Sequence, residues 1–219
     1  MTEALNIAQI CPETYALGPG KRFVVWVQGC PFDCAGCIAP DWIPIREAQI
    51  VPVRELVDRI LATEDLEGIT ISGGEPMLQA SCLARLLSEV RTVRPDLSAI
   101  AFSGFKLEQL KRKAITDASI ASLLGQLDVL IDGLYRQELD NGRGLRGSPN
   151  QRTHFLTDRY KHLVGEFENG DRNPEIHLLT EGLLLVGIPT QGALRTMHSL
   201  VNGLERSGVA SVQRASSKP

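Results

Sequence analysis

Three cysteines fall within eight residues, Cys30-Pro-Phe-Asp-Cys34-Ala-Gly-Cys37, directly after the apolar run Phe23–Val27 and the pair Gln28-Gly29. A run this rich in β-branched and aromatic residues reads as a buried strand. A glycine and a cysteine loop at its end hang several thiol groups over one edge of a sheet. Thiolates so close in sequence can ligate a common metal centre, as they do in zinc and iron–sulfur sites. The number matters. A structural zinc site closes with four protein ligands, and a fully protein-ligated [4Fe–4S] cluster also takes four cysteines. Three leave one metal position open to a ligand from outside the loop.

A second strand end carries the complementary chemistry. The β-branched run Ile69–Ile71 passes straight into Ser72-Gly73-Gly74-Glu75-Pro76. The glycines permit positive φ and close approach to the backbone. Glu75 offers a carboxylate to a cation such as an ammonium group, and Pro76 suits the first position of a helix. Between the apolar runs lie helical stripes: Val53, Leu56, Val57, Ile60 and Leu61, then Leu83, Leu86, Leu87 and Val90. Further strands are expected at Leu97–Phe102 and Leu127–Ile131. Strands joined by helices of this length pair in parallel, and ligands gather at their carboxyl ends. Cys30, Gly73, Ser103 and Asp132 are each expected just past such an end, so one rim collects four polar or reactive positions.

The Cys-x3-Cys-x2-Cys loop followed by Gly-Gly-Glu-Pro resembles the radical S-adenosylmethionine superfamily. Cys-x3-Cys-x-Gly-Cys, Phe102-Ser-Gly-Phe105, Asp128-Val-Leu-Ile-Asp-Gly133 and Arg146-Gly-Ser-Pro-Asn-Gln151 are similar in kind and order to segments of the activating enzymes of anaerobic ribonucleotide reductase. The resemblance runs from Asn6 to Arg152. It implies that Cys30, Cys34 and Cys37 hold a [4Fe–4S] cluster and that Gly73, Gly74 and Glu75 contact S-adenosyl-L-methionine; Ser103 and Asp132, on the same rim, are expected as further cofactor-binding residues. It implies reductive cleavage of that cofactor to a 5′-deoxyadenosyl radical, which takes a hydrogen from a glycine of a glycyl radical enzyme partner. Reduced flavodoxin or ferredoxin is the implied electron donor. The implied architecture is an α/β fold, a partial (open) parallel α/β barrel of the radical S-adenosylmethionine type. Backbone amides of Phe32, Asp33, Ala35 and Gly36 are expected to tune the cluster, and no side chain is needed as general acid or base.

The remaining chain reads as one domain over 1–210, with core motifs at 6–152. A β-hairpin (Glu175–Thr180 and Leu183–Gly187) and a helix striped by Leu194, Met197, Leu200, Val201 and Leu204 occupy 174–206. Residues 211–219 read as a disordered tail. The polar loop Asn141–Gln151, with Arg146 and Asn150, is expected to border the cofactor and receive the partner's glycine loop. Net charge is −3 with 43% hydrophobic residues, which argues against a basic nucleic-acid binder. There is no signal-like N-terminus and no run long enough for a membrane span, so a cytoplasmic protein is expected. Two rival readings stand beside the leading one. One is a radical enzyme acting on a small molecule or peptide. The other is a non-catalytic iron–sulfur or zinc protein, with His154, His162 or Cys11 as fourth ligand. Cys82, on an apolar helical stripe, reads as an inert core thiol, and Cys11 as structural.

Overall fold

The computed structural model describes residues 3–179 and 182–206. The chain opens with two antiparallel strands, β1 (Ala4–Thr14) and β2 (Arg22–Val27), followed by β3 (Gln49–Pro52). Helix α1 (Val53–Leu61) leads to β4 (Gly68–Gly73), and α2 (Ala80–Val93) leads to β5 (Ser98–Ser103). Two short helices, α3 (Leu107–Lys113) and α4 (Ala118–Leu124), then lead to β6 (Val129–Asp132) and β7 (Arg152–Phe155). After α5 (Val164–Asn169) comes a separate hairpin, β8 (Glu175–Leu179) and β9 (Gly182–Val186), and then α6 (Gln191–Arg206).

The main sheet has seven strands in the order β3-β1-β2-β4-β5-β6-β7. Its four central strands, β2, β4, β5 and β6, run parallel, and β1, β3 and β7 pair antiparallel at the flanks. The α/β class and the four parallel strands agree with the sequence reading. The flanking strands were not anticipated, and they make the sheet mixed with two open edges. The expected boundaries also shift slightly, since Gly73, Ser103 and Asp132 are the last residues of their strands and not the first beyond them.

Parallel strands covered on both faces need apolar residues throughout, and all six residues of β2 are buried. Phe23, Val25 and Val27 face a layer in which α1 and α4 flank α2. The predicted stripes of α1 and α2 are buried there, with Leu61 only half-buried. Cys82 is half-buried against this layer, in keeping with a core thiol. The opposite faces of Val24 and Trp26 pack with Cys11, Leu17, Leu184 and Val186. The C-terminal hairpin therefore covers the second face of the sheet. Each large apolar side chain fully removed from water contributes about 1.5–3 kcal/mol. Thr180 at the expected end of the first hairpin strand, the turn residue Glu181, the helix side chains from Leu200 onward and the tail lie outside the described residues.

The two ends of the sheet differ in kind. At the end where the parallel strands begin, the buried Arg22 guanidinium donates to Thr70 Oγ1 (2.6 Å), Ser98 Oγ (3.0 Å) and Ile69 O (2.7 Å). That end is sealed by a satisfied polar network. The opposite end is concave.

Candidate metal and cofactor site

At the carboxyl ends of β2, β4, β5 and β6 lies a cavity of about 210 Å³. Cys30, Cys34, Cys37, Gly73, Gly74 and Glu75 all line it, joined by Ser103. Folding thus brings seven of the eight sequence-predicted site residues together. The eighth, Asp132, does not line the cavity. Its carboxylate instead accepts the Leu107 N–H (2.5 Å) at the start of α3 and lies 2.8 Å from His154 Nε2. Asp132 shares a sheet face with its register partner Ser103, but a helix start and a neighbouring strand take up one of its oxygens. The other, Oδ1, is buried without a hydrogen bond among the described residues.

The cysteine loop is fixed from several sides. Gly29 and Cys30 donate backbone N–H groups to Trp42 O and Ile43 O, closing the loop on its own far end. Buried Gln28 donates to Pro44 O (2.7 Å). The Phe32 ring lies against the backbone of Gly104 and meets Phe105 edge-on at 4.7 Å. Gly36 has φ +74°, and a Cβ there would strike the Gln137 side chain. Burial raises all three thiols, Cys30 to about 11. One backbone N–H opposes burial at each sulfur, from Phe32 to Cys30, Tyr135 to Cys34 and Ala39 to Cys37. Of the expected tuning amides Phe32 is the one that acts on a sulfur here, and Tyr135 and Ala39 supply the other two.

Glu75 is 1% exposed. Its Oε1 accepts Met77 N–H (3.0 Å) and Ser103 Oγ–H (2.8 Å), and its Oε2 accepts Gly104 N–H (2.8 Å). Burial pushes its carboxyl up to about 7 against those three donors, and no Lys or Arg is among the groups that act on it. The capping role and the site role coexist, since Glu75 also caps the 3₁₀ turn Pro76–Gln79. Gly74 also has a packing role. A Cβ there would lie 2.2 Å from Gly29 O, so its bareness lets the two strand-end loops pack backbone to backbone. Gly74 N–H and Glu75 N–H donate to Val27 O and Gly29 O across the same contact.

The long polar loop contributes through other residues than expected. Gly147 and Gln151 line the cavity, whereas the Arg146 guanidinium donates to Gln151 O and Glu168 O. Asn150 is exposed and bonds Leu134 O. The loop is organised by Arg172, which donates to Asp140 Oδ1 (2.9 Å) and to the carbonyls of Arg143, Gly144, Arg146 and Gly147. Sequence reasoning also missed the C-terminal wall of the cavity, where Ile188, Pro189, Gln191 and Leu194 close one side. A lone Gln or Pro after a hairpin carries no signal of its own.

Among the described residues no three His, Cys, Asp or Glu side chains are close enough to share one metal ion. A [4Fe–4S] cluster asks for something else, one thiolate on each of three irons. Cys11, His154 and His162, the fourth ligands of a zinc reading, do not line the cavity. Cys11 lies buried 3.9 Å from His177, and His154 is held by Asp132.

Comparison with known proteins follows the same lines. Residues 16–154 match the family model described as a 4Fe-4S single cluster domain. The anaerobic ribonucleoside-triphosphate reductase-activating protein of Vibrio cholerae is 34% identical over 163 residues, 70% of this chain and 99% of the relative. That of Enterobacteria phage T4 is 31% identical over 159 residues, 70% of this chain and 96% of the relative. The pyruvate formate-lyase-activating enzyme of Staphylococcus aureus is 39% identical over 80 residues, 34% of this chain and 32% of the relative. The hairpin and α6 lie beyond the family match.

Proposed function

The chain belongs to the 4Fe-4S single cluster domain family and to the activating enzymes of the radical S-adenosylmethionine superfamily, and on that premise we propose that it activates a glycyl radical enzyme. The single observation that carries the reading is one cavity holding three free cysteines beside a buried carboxylate that no Lys or Arg among the described residues neutralises. Such a carboxylate asks for a positively charged ligand, and the ammonium of S-adenosyl-L-methionine is one. Cys30, Cys34 and Cys37 would hold a [4Fe–4S] cluster, and Gly73, Gly74 and Glu75 would hold the methionyl end of the cofactor. When bound, the pair supplies one-electron cleavage of a sulfonium and abstraction of an unactivated hydrogen.

The protein's part is binding, orientation and exclusion of water. Ser103 donates to Glu75 Oε1 and so positions the carboxylate. Asp132 acts one step further out, fixing the start of α3 beside Ser103 in the ladder. Trp26, Trp42, Phe102 and Leu194 give the cavity apolar walls that keep water off a reactive centre. The N–H groups on the three sulfurs favour electron-rich sulfur and bear on the reduction potential. We further take residues 1–210 as one cytoplasmic domain and its sheet as the open partial barrel of the superfamily. No helix among the described residues is long and apolar enough to cross a membrane.

One observation favours a second reading, radical chemistry on a small molecule or peptide. The C-terminal segment walls one side of the cavity with the chain's own residues. Anaerobic reconstitution with iron and sulfide decides between them. About four irons per chain are expected, followed, with dithionite and S-adenosyl-L-methionine, by 5′-deoxyadenosine and a glycyl radical signal on an added partner. Rapid coupled turnover without a protein partner would select the second reading. Tight stoichiometric zinc without sulfide would overturn both.

A further inference from the structure

The distribution of unpaired cations singles out one surface. Most arginines and lysines among the described residues sit in ion pairs, such as Arg54–Asp58, Arg59–Glu55, Arg94–Asp96 and Lys161–Asp158. Lys106, Lys111, Arg112 and Lys113 are different. All four are exposed, they fall within eight residues on and before α3, and none forms an ion pair among the described residues. The one acid inside the stretch, Glu108, is already taken by Arg152 (2.7 Å). A chain of net charge −3 thus concentrates positive charge in one place. The macrodipole explains a preference for cations in the last turn of α3 but not why they lack partners.

The position of this patch is the second observation. Lys113 Nζ lies 4.9 Å from the centre of the Phe105 ring, and Phe105 meets Phe32 edge-on at 4.7 Å. Phe32 lies between Cys30 and Cys34 in sequence, and its backbone N–H is the one that reaches the Cys30 sulfur. A continuous packed path therefore runs from the basic helix through two aromatic rings into the cysteine loop.

We propose that this surface, Lys106 with the last turn of α3, docks an acidic one-electron carrier protein against the cysteine loop. The inference rests on the functional reading above. In the encounter one electron leaves the carrier, which is oxidised, and enters the centre held by Cys30, Cys34 and Cys37, which is reduced. No covalent bond forms or breaks. Charge complementarity raises the encounter rate and fixes orientation without demanding a large interface, which suits a carrier that must leave after each delivery. Redox encounters of this kind sit at the small end of interface sizes. The patch is too narrow, and the whole chain too acidic, for it to serve as a nucleic-acid footprint.

Binding of an acidic flavodoxin to the reconstituted protein, read by surface plasmon resonance, tests the docking directly. Affinity should fall steeply between about 50 and about 300 mM salt. The triple variant K111E/R112E/K113E should bind roughly tenfold or more weakly while its circular dichroism spectrum stays that of the folded wild type. Carbodiimide cross-links should map to Lys106, Lys111 or Lys113. Cross-links confined to another surface, or unchanged affinity in the triple variant, would overturn the proposal. So would equal retention on single-stranded DNA or phosphatidylserine vesicles, which would mark a general anion-binding surface. The wild-type protein reduced by dithionite separates the two levels. If it fails to cleave S-adenosyl-L-methionine, the functional reading has failed; if it cleaves while flavodoxin docks elsewhere, only the docking surface is wrong.

Discussion

Gly74 and Glu75 sit side by side yet make opposite predictions. With 2.2 Å between a Cβ on Gly74 and Gly29 O, even alanine must push the cysteine loop off the end of β4. Gly74→Ala is therefore expected to lose iron as well as cofactor affinity, where Glu75→Gln should keep its iron. Measuring iron and sulfide per chain in both variants checks this, and full iron in Gly74→Ala would refute the packing role. Glu75 also carries a pH signature. Its carboxyl rises from the ordinary 4.5 to about 7 in the fold, because burial disfavours the charged form. Between those values the folded chain holds more protons than the unfolded one. The group's contribution, roughly 3 kcal/mol, is fully present below 4.5 and lost as pH rises through 7. In the metal-free protein the urea midpoint should fall from pH 5 to pH 8 more steeply for wild type than for Glu75→Gln. An ammonium ligand favours the charged carboxylate, so its affinity should rise with pH and level off above about 7.

At the scale of elements, the four central strands and the two long helices were legible because each carries a full apolar period. Arg22–Val27 is buried throughout, and α1 and α2 show clean stripes. The flanking strands were not legible. β1 alternates imperfectly because Asn6 and Gln9 bond neighbouring backbone and side chains, and β3 and β7 are only four residues long. The cysteines, Gly73, Gly74, Glu75 and Ser103 could be read as site residues because strand-end position is a topological property. Asp132 could not be separated from them, since it shares that strand-end position and differs only in that the Leu107 N–H and His154 take up its carboxylate. The loop's anchor, Phe32, was invisible, as its partners Gly104 and Phe105 lie some seventy residues away. Phe32→Ala removes the ring pair, worth about 0.5–1.5 kcal/mol beyond the buried area. It should release iron faster to a chelator at unchanged initial loading, while Phe32→Leu should lie between. Identical release rates in all three proteins would show that the loop holds itself.

The whole molecule raises a different question, what the residues beyond the family match do. They are more than an appendage. Leu184 and Val186 complete the core on one sheet face, and Ile188 and Leu194 wall the cavity. The tie between this region and the site is Arg172, whose side chain is 3% exposed against 5% for Asp140. Five of its hydrogen bonds end on Asp140 or on loop carbonyls between Arg143 and Gly147. Tyr135 links the same carboxylate to Gln191 at the head of α6, with 3.3 Å on each side. Arg172→Ala leaves Asp140 as a buried charge without its partner, a loss of about 3–5 kcal/mol. For a chain of this size the unfolding temperature should drop by roughly 10 °C. The double variant Arg172→Leu with Asp140→Leu removes both charges and should recover much of that loss, because no lone charge remains. If the single variant lost less than about 1 kcal/mol, the range typical of surface pairs, Arg172 would be an ordinary exposed ion-pair residue. The polar loop would then owe its shape to Gln151 and Ser148 alone.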